Sequence, residues 1–234
     1  MFRYNNYIFL ILLFSFKMLF SQEPHLTIDI SCDTSHYEQN DYIDSLEYYK
    51  KKFGSNYKLH TKDEKLKLAF FVALSHYPEL RNTKISLSMK KIPSTMQAQP
   101  YSDFLFRKKG NRKYKVIVNK TSDVNGMYYK DLSFNSLVGW IGHEFAHILD
   151  YSKMNNRDLI SFIASYVFDK DKMKKTERKA DKETIKHGLG IQLLDGANYF
   201  HRNKKISRKY KEKKKEYYLS REEIINGINN NCKH

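Results

Sequence analysis

The segment GWIGHEFAHILDY, residues 139–151, contains a His-Glu-x-x-His pattern formed by His143, Glu144 and His147. An α-helix has about 3.6 residues per turn, so residues four apart lie on the same face. The two imidazoles can therefore bind one zinc ion. Glu144 is then placed to take a proton from an attacking water, while zinc supplies Lewis acidity. The pattern indicates a hydrolytic zinc site, and two exposed helix histidines are the alternative.

A catalytic zinc has three protein ligands and one open position. The downstream segment ERKAD, residues 177–181, places Glu177 and Asp181 four apart on a predicted helix, again on one face. Glu177 can supply the third ligand, and Asp181 can accept a hydrogen bond from a ligating histidine and so fix its ring. A solvated, charged helix face is the alternative for this pair. His187 and His201 are the rival third ligands.

HEFAH and ERKAD together resemble the gluzincin pattern H-E-x-x-H … E-x-x-A/T-D. Gluzincins are zinc peptidases whose third ligand is a glutamate on a downstream helix. The short chain is similar to the compact, minigluzincin-type members. The resemblance implies a zincin-like fold, a peptide or protein substrate and a Zn²⁺ cofactor. By position it implies His143, His147 and Glu177 as ligands, Glu144 as general base and Asp181 as the partner of a ligating histidine.

The resemblance also implies an edge strand, ahead of the motif helix, that binds the substrate backbone as an added strand. The run KYKVIVN is the segment suited to this role, and its central residues are Val116, Ile117 and Val118.

Larger gluzincins carry a downstream Tyr or His that stabilises the oxyanion. The sequence offers no clear counterpart, and the candidates are Tyr151, His187 and Tyr199.

The motif helix is predicted over about 133–151, with Ser133 as its N-cap and apolar residues along one broad face. Gly139 and Gly142 indicate that another element packs closely against this helix, since glycine is otherwise unfavourable there.

Further helices are predicted downstream over 157–168, over 172–187 and near 191–200. The second of these stops at Gly188, a natural helix C-terminus.

Capping boxes predict two other helix starts. Thr61 and Glu64 precede an apolar helix over about 62–76, and Ser220 and Glu223 begin a helix near the C-terminus.

The strands are predicted between these helices. The alternating run Lys84–Lys90 predicts one strand. Pro93 and Pro100 bracket a loop, and two β-rich runs on either side of residues 109–111 predict a hairpin. Helices, a small sheet and further helices together predict an α+β fold.

The chain has 234 residues, 41% of them hydrophobic, which favours one globular domain over disorder. Residues 1–21 combine Arg3, a short apolar run and Ser21, and so predict a signal peptide and an exported protein. An uncleaved anchor is the alternative, but the run is short for a bilayer span and Lys17 interrupts its end. The mature domain would cover residues 22–234.

The formal net charge is +16, and much of it lies in a basic C-terminal helical segment, about 202–234. The part that begins at Arg202 and ends at Tyr218 has nine basic and two acidic residues. In an exported protein this favours anionic lipid or cell-wall polymers as partners, and no specific nucleic acid is predicted. A solvated helix that keeps the protein soluble is the alternative.

Two cysteines, Cys32 and Cys232, lie near the chain ends. A disulfide between them and two unpaired thiols both stay open from the sequence.

Three functions follow from these observations. The first is an exported zinc metallopeptidase. The second is a catalytically silent zincin-fold binding protein, and the third is a basic surface-binding protein with an accidental motif. The presence of Glu144 favours the metallopeptidase, because a catalytically silent relative would not need this glutamate.

Overall fold

The computed structural model describes residues 35–121 and 127–232. The predicted signal peptide, residues 1–21, and the cysteine Cys32 lie outside the described residues. The leader therefore stays a prediction, and the pairing of Cys32 with Cys232 stays open. Within the described ranges, none of the helices combines the length and the apolar character needed to cross a bilayer.

The predicted α+β class is confirmed, because a small mixed sheet is followed by helices. The four strands of the described residues are β1 (Tyr57–His60), β2 (Lys84–Lys90), β3 (Met96–Pro100) and β4 (Lys113–Asn119). The α-helices are α1 (Leu46–Phe53), α2 (Glu64–Ser75), α3 (Phe134–Lys153), α4 (Asn156–Phe168), α5 (Lys170–Thr184), α6 (Gly190–Arg202), α7 (Arg208–Tyr217) and α8 (Arg221–Asn231).

The sheet order is β1-β2-β4-β3, in which β2 runs parallel to β1 and β4, and β3 runs antiparallel to β4. The prediction that β4 is the edge strand is therefore wrong. Val116, Ile117 and Val118 pair with β2 on one side and with β3 on the other, so their backbone groups are not free to bind a substrate strand. The edge strand that packs against α3 is β3.

The predicted hairpin around residues 109–111 is also wrong. Short 3₁₀ turns, Ser102–Phe106 and Lys109–Asn111, occupy the stretch before β4. The antiparallel partner of β4 comes from the predicted loop between the prolines, and Pro100 ends it opposite Tyr114. Proline is tolerated there because an edge strand does not need every N–H for pairing.

Two predicted helix caps near the site and the C-terminus are confirmed. The Ser133 hydroxyl accepts a hydrogen bond from the Ser136 backbone N–H at 2.9 Å, at the start of α3. At the start of α8, Ser220 and Glu223 form the full capping box.

The cap predicted for α2 is wrong by two residues. The Asp63 carboxylate accepts from the Leu66 N–H at 3.0 Å, and Thr61 instead accepts from the Asp63 N–H at 3.1 Å. Both residues are good caps, and the chain uses the one that directly precedes the helix.

Helix α3 is the element that fixes the site, and its apolar face is buried in the main core. Phe145 lies edge-on to Phe70 of α2, with ring centroids 5.0 Å apart, and to Tyr77 at 5.7 Å. Buried side chains of β2 and β4 join the same cluster. These contacts leave one orientation for the opposite face of α3, which carries the histidines.

The predicted close packing at Gly139 is confirmed. A methyl group there would lie 2.4 Å from the backbone carbonyl carbon of Gln192 on α6. Helices α3 and α6 therefore cross where no side chain separates their backbones.

Gly139→Ala is expected to lower the free energy of unfolding by about 2–3 kcal/mol, as overpacking outweighs the better helix propensity of alanine. Gly110→Ala is the matched control, since its methyl group would meet nothing within 4 Å. That variant should stay within about 0.5 kcal/mol of the parent protein. Urea denaturation measures both, and equal stabilities would contradict the close crossing.

Candidate metal centre

Helix α5 packs against α3 and brings Glu177 to the two motif histidines. His143 Nε2 lies 3.1 Å from His147 Nε2 and 3.1 Å from Glu177 Oε2, and His147 Nε2 lies 3.7 Å from the same oxygen. One ligand atom from each residue falls within 4.8 Å of the others, and all three residues are buried. This group could hold a metal ion.

The burial of these side chains excludes the two alternative interpretations of the motifs. His143 and His147 are 7% and 6% exposed, so they are not a pair of surface histidines. Glu177 and Asp181 are 3% and 2% exposed, so they do not form a solvated charged face. Buried charges of this kind are paired or coordinate metals.

Asp181 sets the orientation of the first histidine. Its Oδ1 lies 2.8 Å from His143 Nδ1, and this nitrogen donates because a buried carboxylate accepts. In the neutral ring the lone pair is then on Nε2, the atom that faces His147 and Glu177. Two ring nitrogens and a carboxylate oxygen therefore converge in a buried space, an arrangement that a shared proton or a cation would stabilise.

The electrostatics of these side chains agree with this picture. Burial disfavours a charged ring at His143, but the hydrogen bonds to Asp181 and Glu177 outweigh it and raise the pKa of His143 to about 10. Burial likewise opposes ionisation of Glu177, but the two histidines hold its pKa well below the usual range. A divalent cation would replace the proton that the metal-free cluster retains.

Glu144 points into the same region without belonging to the ligand group. It is 7% exposed, and its Oε2 is buried with no hydrogen-bond partner among the residues that the structure describes. Burial raises the pKa of Glu144, although His147 and His143 act in the opposite direction. A buried carboxylate with a raised pKa beside a ligand cluster is suited to accept a proton.

No protein-family model, curated protein or solved structure matches this chain. The function of the chain is therefore inferred from the arrangement of its own side chains.

The rival third ligands lie outside the metal group. The His187 ring stacks on Tyr77 at 4.1 Å, and its Nε2 faces Glu79 at 3.4 Å. His201 is exposed near the end of α6. Neither belongs to the group of residues that could hold the ion.

Of the three candidates for oxyanion stabilisation, the structure brings one to the site. Tyr151 lies one turn beyond His147 with its ring stacked at 6.1 Å. His187 is engaged by Tyr77, and the Tyr199 hydroxyl accepts from Asn203.

Two further tyrosines, which no sequence motif indicated, lie at the candidate metal centre. The Tyr166 hydroxyl donates to Glu177 Oε1, and the Tyr218 ring lies 5.6 Å from that of His143. Burial and the Glu177 carboxylate raise the pKa of both phenols, so both are neutral hydrogen-bond donors. No local spacing links these residues to the motifs, because α4 and the chain after α7 reach the site only in the folded protein.

The basic segment is not wholly a free surface. Lys214 of α7 lies above the Tyr218 ring, with 3.5 Å from its Nζ to the ring centroid, and 5.8 Å from the Trp140 ring. At least this lysine is directed toward the metal centre, while the binding of an anionic surface stays a prediction.

Proposed function

We propose that the protein is a zinc-dependent peptidase with a zincin-like site, in which His143, His147 and Glu177 hold the ion. The observation that carries the proposal is the spacing of the three ligand atoms, 3.1, 3.1 and 3.7 Å. Zinc bonds of roughly 2.0–2.1 Å in tetrahedral geometry separate neighbouring ligand atoms by about 3.3–3.4 Å. The observed distances scatter around that value.

The choice of ligands favours a catalytic over a structural site. Two imidazoles and one carboxylate leave a fourth tetrahedral position for water or substrate, whereas structural zinc sites are closed by four protein ligands. When bound, zinc would supply Lewis acidity for the hydrolysis of a carbonyl compound.

Side chains of this protein would then transfer the proton, stabilise the developing charge and orient a ligand. Glu144 takes the proton of the attacking water and passes it to the leaving amine, which its raised pKa favours. The Tyr166 hydroxyl donates to Glu177 Oε1 and so holds this proposed ligand in place. Of the two neutral phenols, Tyr218 is therefore the one proposed to donate a hydrogen bond to the negative charge that develops on the carbonyl oxygen. Asp181 keeps His143 in the tautomer that binds the ion.

A peptide substrate is the class that the fold around the site favours. The edge strand β3 packs against α3, and its outer side has no partner among the described strands. An extended peptide can add to such an edge, next to the helix that carries both histidines. This role passes from Val116, Ile117 and Val118 of β4 to the segment Met96–Pro100.

A catalytically silent binding protein is the second function. The buried Glu144 oxygen, which has no partner among the described residues, argues against a silent protein. Burying an unpaired carboxylate destabilises the fold, and a protein without catalytic activity would gain nothing from it. The third function, with an accidental motif, does not account for the convergence of Glu177 and Asp181 on the histidines.

The affinity for zinc is expected to rise with pH. In the metal-free protein the His143 pKa, raised to about 10, keeps a proton on the ring that zinc must displace. Apparent affinity should therefore increase about tenfold per pH unit from neutral pH up to the raised pKa of His143. Calorimetric titration in buffers of different ionisation enthalpy should find about one proton released near neutral pH. An affinity that does not change with pH would contradict this ligand assignment.

The proposed function is tested by metal content and cleavage together. Protein purified without added metal is expected to contain about one zinc per chain and to cleave members of a peptide library. Removal of the metal by a chelator should abolish cleavage, and added zinc should restore it. Bound zinc without any cleavage would favour the silent binding protein, and failure to bind zinc near neutral pH would refute the site.

A further inference from the structure

The carboxylate of Asp181 is held from two sides. Its Oδ1 accepts from His143 at 2.8 Å, and its Oδ2 accepts from the backbone N–H of Leu219 at 2.9 Å in a buried contact. Leu219 lies in the short connection between α7 and α8, residues 218–220, far along the chain from both motifs. The connection thus bonds to the residue that orients a proposed ligand.

The same connection is fastened to α5 at a second point. Arg178, three residues before Asp181, donates to the Tyr218 carbonyl oxygen at 3.0 Å and forms an ion pair with Glu223 of α8. Glu223 in turn completes the capping box of α8. The position of the Leu219 N–H is therefore set by contacts to the helix that carries Glu177 and Asp181.

Side chains around the connection exclude water from this contact. The Tyr218 ring is tilted over His143, and Lys214 lies over the outer face of that ring. Leu219 is itself buried in a small apolar cluster with Ile224, Ile225 and Ile228. A hydrogen bond in such a place is stronger than one in water, and an unpaired carboxylate oxygen there is costly.

We propose that the connection between α7 and α8 is a positioning element of the metal centre, in which the Leu219 backbone amide holds Asp181 against His143. The inference rests on the proposed zinc site. The basic C-terminal segment is then part of the site's framework, in addition to any surface role. Loss of the Leu219 N–H should let the Asp181 carboxylate turn away from His143 and weaken zinc binding.

The direct test compares Leu219→Pro with Leu219→Ala in the full chain. Proline removes the N–H, and the extended backbone of Tyr218, with φ −104° and ψ 170°, suits a residue before proline. Alanine keeps the N–H and loses the same packing in the apolar cluster. In a competitive zinc titration, Leu219→Pro should bind about 10-fold more weakly than Leu219→Ala, the lower end of effects seen for groups that orient metal ligands.

Two additional measurements separate positioning from a general loss of stability. The visible absorption spectrum of the cobalt(II)-loaded protein reports ligand geometry and should change in Leu219→Pro but not in Leu219→Ala. In an Asp181→Ala background, Leu219→Pro should cause no further loss of affinity, because the amide acts through that carboxylate. Equal affinities and spectra for the proline and alanine variants would overturn the proposal while wild-type zinc binding left the site itself standing.

A side-chain variant covers the case in which Leu219→Pro does not fold. Arg178→Gln removes the bond to the Tyr218 carbonyl and the ion pair with Glu223, and should weaken zinc binding several-fold. Lys182→Gln is the control, because it removes the same charge from an exposed position next to Asp181 on α5. Equal zinc affinities in these two variants would likewise overturn the positioning role.

Discussion

Glu144→Gln is expected to keep zinc and to lose peptide hydrolysis by about 10³- to 10⁴-fold, within the range that a positioned general base contributes. Glutamine preserves the size of the side chain and its helix propensity but cannot accept the proton. Because Glu144 is outside the ligand group, the ion should stay bound. The result is read from zinc content and from kcat/KM on a cleaved library peptide.

Glu183→Gln provides the matched control for that experiment. It removes a carboxylate from α5 near the site that is not part of the ligand group, and its activity should remain close to that of the wild type. A fully active Glu144→Gln protein would contradict the proposed mechanism, while a metal-free one would make Glu144 a ligand.

The second large effect is expected in zinc affinity. Glu177→Ala leaves two histidine ligands and should reduce affinity by more than Asp181→Asn, for which about 10–100-fold is expected. Asparagine still accepts a hydrogen bond from His143 but lacks the charge that strengthens the ring as a ligand. The expected order of affinity is wild type, then Asp181→Asn, then Glu177→Ala, measured by competitive titration.

His143→Ala should abolish zinc binding or weaken it severely, and the exposed His60 of β1 supplies the control. His60→Ala removes an imidazole from an exposed position outside the metal group and should bind zinc like the wild type. Unchanged affinity in Glu177→Ala would place the third ligand elsewhere, contrary to its convergence with both histidines.

Local sequence rules predicted the elements that carry the motifs. Sequence spacing predicted the span of α3, its Ser133 cap and the shared face of His143 and His147. All three depend on contacts between residues three or four apart within one helix. The capping box of α8 is local in the same sense. The predicted helix stop at Gly188 is correct only in part: α5 ends at Thr184, and Gly188, whose φ is +75°, breaks the helical turn Ile185–Leu189 that follows it.

Strand pairing was decided by contacts that are remote in the sequence. The run that became β4 is apolar enough for either an edge or an interior strand, and only its pairing with both β2 and β3 makes it interior. Likewise, β3 contains two glutamines and a proline and lacks the usual β-branched residues, so its sequence predicts a loop. It forms a strand because it pairs with β4.

The candidate metal centre shows the same division between local and remote contacts. The sequence by itself determined which residues have the right chemistry, since His143, His147, Glu177 and Asp181 were placed on two helix faces by spacing alone. Only the tertiary structure decided that α5 packs its face onto that of α3, that Tyr166 and Tyr218 face Glu177 and His143, and that the Leu219 amide holds Asp181. Helical periodicity is a property of neighbouring residues, whereas the relative placement of helices depends on how the whole core packs, at points such as Gly139 where two backbones touch.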